Sequence, residues 1–159
     1  MNQTQIRQVI RDVLQDVDLW SEDAEELVFL TGLVESKYEY LKQIQGPARS
    51  FFQIEPNTAK DIYSNFLVYR PTLMANITKA CQVDTVNLTG GEMGKLLTHN
   101  IALAIIFCRL QYRRVSAPIP HSVGKMALYW KKYYNTELGA GTVEKFTDSE
   151  LARKDRKHV

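Results

Sequence analysis

At 159 residues the chain has the length of one ordinary domain, since domains mostly run to about 100–200 residues. Its 45% hydrophobic and 24% charged residues exclude a disordered or fibrous chain. A net charge of +2 excludes a molecule-wide field that would draw it onto nucleic acid or an anionic membrane, so binding must come from a local site.

The opening MNQTQIRQVIRDVL has neither a basic start nor a continuous apolar stretch, so no secretory signal is expected. Residues 4–17 instead put Ile6, Val9, Ile10, Val13, Leu14 and Val17 at helical spacing, an amphipathic helix with one apolar stripe. A second helix follows, with Ser21 as its cap and Glu22, Asp23, Glu25 and Glu26 in the first turns, where the helix dipole favours carboxylates. Its apolar set is Ala24, Leu27, Val28, Thr31 and Val34. Glu35 lies four residues after Thr31 and seven after Val28, which places a carboxyl on that buried face.

The loop GPARSFFQIEP comes next, followed by a helix from about Asn57 carrying Ala59, Ile62, Tyr63, Phe66 and Leu67. Pro56 suits its first turn. A fourth helix begins at Pro71 with Leu73, Met74, Ile77 and Cys81, and QVDTVNLTGGE then reads as a loop. From Met93 to Val115 the pattern is helical, and Ile101–Leu110 is apolar on nearly every side except Arg109, the pattern of a helix surrounded by others. Its apolar run is well short of the roughly 20 residues that span a bilayer. Pro118 and Pro120 end that helix. Ser122 caps another, with Val123, Met126, Ala127, Trp130 and Tyr133, and TVEKFTDSELARK forms a last short one. The expected fold is all-α, packed around a central apolar helix near 100–113. A core of about 20–146 lies between two appendages, the N-terminal helix 4–17 and a basic, solvated tail at 147–159.

Several chemistries lack their residues. His99, His121 and His158 are scattered, and Cys81 and Cys108 show no metal-ligand spacing, so no metal is expected. TGGEMGK lacks phosphate-loop spacing, and no nucleophile elbow or Cys-His arrangement is present. What remains is Glu35 beside a polar and aromatic loop. Cleaving a glycosidic bond needs an acid that stays protonated near neutral pH. Burial among apolar side chains and a helix C-terminus both favour the protonated form.

ESKYEYLKQIQGPARSFFQIEPNTA resembles the lysozyme-like, soluble lytic transglycosylase superfamily, whose pattern is a catalytic Glu-Ser, a Gly-Leu-Met-Gln-Ile-like loop and Pro-x-Thr-Ala. Glu35-Ser36 falls on the first element, Gln53-Ile54 on the loop, and Pro56, Thr58 and Ala59 on the helix start. Asn100-Ile101 is similar to that family's Asn-Ile element and Tyr134-Asn135 to its Tyr-Asn motif, so the resemblance covers roughly residues 25–146. GPARSFFQIEPNTAKDIY, LQYRRV and YWKKYYNTELGAGT look like bacteriophage-encoded members. The chain departs from the pattern at Ser50, which replaces the loop glycine, at Phe51-Phe52 for Leu-Met, and at Thr136-Glu137 for Ala-Gly.

The resemblance implies a single lysozyme-like domain over 1–159 that cleaves peptidoglycan with Glu35 as its acid. It implies substrate contacts from Gln53, Ser50, Phe52, Tyr134 and Asn135, and no cofactor. The partner is a peptidoglycan glycan strand, with other phage structural proteins as further partners; no nucleic acid and no membrane span is expected. Such a protein is made in the host cytoplasm, carried in the virion, and acts in the host periplasm or cell wall. In lytic transglycosylases the substrate's acetamido group assists a lone Glu; a second carboxylate from Glu39, Glu55 or Asp61 would suit hydrolysis. The alternative is a structural virion protein of the same fold with weak or no activity.

Overall fold

The computed structural model describes residues 1–84, 87–135 and 139–157, with side chains as far as Glu150. Eight α-helices run in order among them: α1 Gln3–Asp16, α2 Glu22–Ser36, α3 Pro56–Asn65, α4 Pro71–Cys81, α5 Gly90–His99, α6 Ile101–Arg113, α7 Val123–Trp130 and α8 Val143–Lys157. A 3-10 turn, Leu67–Tyr69, joins α3 to α4, and a π-helical turn, Lys131–Asn135, extends α7. The described residues hold no strand, only isolated bridges of Arg49 to Lys42 and to Ile54, so the fold is all-α. No single helix among them is long and apolar enough to cross a membrane.

Side-chain caps set most of the helix starts. Asn2, Ser21, Asn100 and Ser122 each accept a hydrogen bond from a first-turn N–H, meeting one of the donors that a helix start leaves open. Pro56 and Pro71 open α3 and α4, where a missing N–H has no cost.

Helix α1 is part of the core, which corrects the expectation of an appendage. Ile6, Ile10 and Leu14 are buried, and the helix packs on α2, α4 and α6. The apolar stripe was legible, but only the packing shows that α2 and α6 cover it. The expected tail is likewise not simply solvated: α8 runs through it as far as Lys157, packs on α2 and α7, and buries Phe146 just before the tail and Glu150 within it. The tail's basic residues beyond Glu150 have no described side chains, and His158 and Val159 lie outside the described residues.

The single helix expected over Met93–Val115 is two helices, α5 and α6, bent by 109°. Asn100 makes the break with extended backbone (φ −112°, ψ 99°). Its side chain accepts from the Leu103 N–H at 3.1 Å and donates to the Cys81 carbonyl at 3.1 Å, tying the corner to the end of α4. The glycines of TGGE are helical as well, because Thr89 and Glu92 form a reciprocal capping box that starts α5 at Gly90. Within the expected loop, Thr85 and Val86 lie outside the described residues.

Helix α6 lies against α1 to α5 and buries Leu103–Cys108 and Leu110–Tyr112. Helix α2 is buried over most of its circumference too. The two are pinned by Thr31, whose Oγ1 donates to the Leu27 carbonyl at 2.7 Å and pairs with the Tyr112 hydroxyl at 2.7 Å.

Candidate active site

The chain after Ser36 turns back sharply through Lys37 (φ 54°) and Tyr38 (φ 57°), both left-handed. The Lys37 N–H closes on the Leu33 carbonyl at 3.0 Å, so α2 ends at Ser36 and Glu35 stands in its last turn. Tyr38 folds under the helix, donating to the Phe29 carbonyl at 2.7 Å and stacking on the Phe29 ring at 5.7 Å. Gly32 permits this, since a Cβ there would overlap the Tyr38 hydroxyl. Glu35 is thereby held at the rim of the core, half-buried.

The Trp130 indole Nε1 donates to Glu35 Oε1 at 3.1 Å. Burial pushes the Glu35 carboxyl up to about 7, against the opposing pull of that indole N–H and of the Lys145 ammonium. Desolvation disfavours the charged form more than one neutral donor and one exposed cation favour it. The group is therefore poised between acid and carboxylate at neutral pH.

The loop after Tyr38 is closed on itself. Arg49 and Ile54 exchange both backbone hydrogen bonds at 2.8 Å, and Ser50 (φ 71°) and Gln53 (φ 51°) make the tight turn between them. Ser50 and Phe52 were expected at the substrate; the structure corrects both. Ser50 is buried and its Oγ accepts from the Phe52 N–H at 3.1 Å. Phe52 is fully buried, edge-on to Tyr38 at 6.2 Å. They hold the loop from behind. Gln53 does face the cleft; its Nε2 donates to the Ser50 carbonyl at 2.9 Å, which leaves Oε1 to accept from a ligand.

Glu35 and Gln53 line one cleft of about 650 Å³, with Tyr134 and Asn135 on its wall. The Tyr134 hydroxyl donates to the Phe52 carbonyl at 2.5 Å and its ring stacks on Tyr112 at 5.2 Å, so it braces the loop. Asn135 Oδ1 accepts from Lys131 Nζ at 2.8 Å. Both residues sit in the π-helical turn, an irregularity that re-aims side chains and recurs at functional sites. Thr136 and Glu137, the departures from the family pattern beside them, lie outside the described residues.

The chain matches no protein-family model, no curated protein and no solved structure. The site therefore rests on its own chemistry.

Several lining residues went unnoticed in the sequence, among them Trp130, Lys145, Tyr40 and Ile44. Trp130 read as one more apolar position of α7. Lys145 sits beyond the GAG break, on α8, and Tyr40 and Ile44, both exposed on the cleft rim, lie in the approach to the loop. Glu35 carried a signal in its spacing, and the loop and Tyr134-Asn135 in the resemblance; the spacing of Trp130 is that of a core residue, and nothing local ties it to Glu35, 95 positions away.

Of the carboxylates considered as partners for Glu35, Glu55 lines the cleft. Glu39 does not, and Asp61 is engaged elsewhere, by Arg114 at 2.6 Å and Asn65 at 2.5 Å. Neither thiol is suited to nucleophilic work, because burial raises Cys81 to about 11 and raises Cys108 as well.

Proposed function

We propose that this chain cleaves the β-1,4 bond between N-acetylmuramic acid and N-acetylglucosamine in peptidoglycan, as a phage-encoded, virion-carried lytic transglycosylase or muramidase acting in the host periplasm or cell wall. The observation that carries this reading is Glu35, a carboxyl raised to about 7 in a cleft of about 650 Å³ that also holds Gln53. A second support is Ser50. It stands where the resemblance has glycine, and its φ of 71° is the left-handed backbone that glycine favours.

Glu35 gives its proton to the bridging oxygen as the bond from the sugar C1 to that oxygen breaks. The carboxylate left behind is stabilised by the Trp130 N–H at 3.1 Å and by the Lys145 charge. In the anhydro-forming route the substrate's acetamido oxygen bonds to C1. Glu35 then takes the proton of the 6-hydroxyl as that oxygen displaces the acetamido oxygen and closes the ring. Glu55, on the same cleft, is the group that would activate water in the hydrolytic route. Tyr40 offers an exposed ring for the apolar face of a sugar.

Digestion of purified peptidoglycan followed by mass spectrometry of the muropeptides tests this. The native protein should release anhydro ends, or reducing ends if Glu55 works with water, and Glu35→Gln should lose at least about 100-fold in rate. Native and Gln proteins that are equally inert would remove the enzymatic reading and leave the structural role in the virion.

A further inference from the structure

Behind the loop that carries Gln53 lies a second cavity, of about 370 Å³, between the loop and α5. Four side chains that can carry positive charge, Lys42, Arg49, Lys95 and His99, line it, and no acidic residue does. None of the four takes part in an ion pair among the described residues. The nearest acid on α5, Glu92, is turned to the Thr89 N–H in the capping box, and Glu55 lines the other cleft. For a chain of net charge +2, this is a concentration of unbalanced charge in a concave site, the arrangement that focuses a field on an anion.

The pocket is also partly preorganised. Arg49 Nη1 donates to the Gly46 and Ala48 carbonyls, each at 2.9 Å, which fixes the guanidinium and leaves its Nη2 and Nε for a ligand. Lys42 lines both this pocket and the Glu35 cleft. The two pockets therefore adjoin at Lys42.

We propose that the Lys42–Arg49–Lys95–His99 pocket binds an oxyanionic substituent, a carboxylate or phosphate, carried on the glycan strand whose sugars occupy the Glu35 cleft. The inference rests on the glycan-cleaving reading for the strand, and on the pocket alone for the anion. A carboxylate would come from a peptide branch of the strand and a phosphate from a polyol-phosphate chain attached to it. Paired N–H donors and fixed positive charge suit either.

The test measures binding by the full chain carrying Glu35→Gln, so that nothing turns over. Three tetrasaccharides are compared: peptide-free, bearing stem peptides, and bearing a short glycerol-phosphate oligomer. One anionic form should bind about tenfold more tightly than the peptide-free form, the margin of one or two charge-assisted hydrogen bonds. Which one identifies the source of the anion. Adding Lys95→Gln and His99→Gln should erase that margin with peptide-free binding unchanged. Equal binding of all three, or a margin that survives those substitutions, overturns the proposal. Inorganic phosphate, followed by the amide resonances of Lys95 and His99, separates the two readings. Saturable shifts with no cleavage by the native protein would sink the enzyme and keep the pocket; cleavage without shifts would sink the pocket alone.

Discussion

Glu25 and Glu35 stand on one helix, both withdrawn from water, and their carboxyls are moved in opposite directions. Burial alone would raise Glu25, but hydrogen bonds from Arg11 (2.7 and 3.1 Å) and Trp20 (2.9 Å), with the charges of Arg11 and Arg7, outweigh it and hold the group below its ordinary value. Glu35 meets one indole and a distant ammonium, and burial wins. From about pH 4.5 to about 7 the native state holds the Glu35 proton and the unfolded chain does not, so stability falls as pH rises through that window. Glu35→Gln should thus stabilise the fold at pH 8 by about 3 kcal/mol, at about 1.4 kcal/mol per unit, and change little at pH 4; urea unfolding at the two pH values checks this. Activity should fall above about pH 7 as the acid ionises. For Glu25→Gln the sign is reversed. The depressed carboxyl contributes stability above its unfolded value that is lost as pH falls through the folded one, so the variant should melt lower at pH 7 and approach native as the solution is acidified.

At the scale of elements, two side chains decide how segments meet. Asn100 holds the corner between α5 and α6 by capping one helix and satisfying the end carbonyl of α4. Asn100→Ala should cost about 1–2 kcal/mol, read as a lowered unfolding midpoint with an unchanged m-value. Tyr134 joins the π-helical turn to the Gln53 loop through the Phe52 carbonyl. Tyr134→Phe keeps the stack on Tyr112 but strands that buried carbonyl, a loss of about 1–3 kcal/mol. Because the freed loop carries Gln53, kinetics on a soluble glycan should show KM rising more than kcat falls.

For the whole molecule, the cleft is a product of the last helix returning to the second. Phe146 on α8 is buried against the Trp130 ring at 5.5 Å, and a Cβ at Gly141 would meet Trp130 Cη2 at 2.5 Å, so the segment leading into α8 can lie flat on the indole. The same contact aims the indole N–H at Glu35 and brings Lys145 to the cleft. Phe146→Ala should cost about 3–5 kcal/mol by thermal unfolding. It should also loosen the cover over Glu35 and let water reach it, moving the upper limb of the pH–rate profile to lower pH, since burial is the larger cause of the raised carboxyl.

The helical class, most helix starts and the place of Glu35 on a buried helical face were legible in the chain, because caps, prolines and a 3.6-residue apolar period act over a few neighbouring residues; Gln53 was singled out only by the resemblance of its loop. The bend at Asn100 did not show in the helical pattern over Met93–Val115 for the same reason: its decisive partner, the Cys81 carbonyl, lies 19 positions away. Nor did the burial of α1 and α8, the withdrawal of Ser50 and Phe52 behind the loop, or the place of Trp130 and Lys145 around the acid. Local pattern states which face of a segment is apolar. Only tertiary packing settles what covers that face, and the dryness of Glu35, on which its chemistry depends, is a property of the cover.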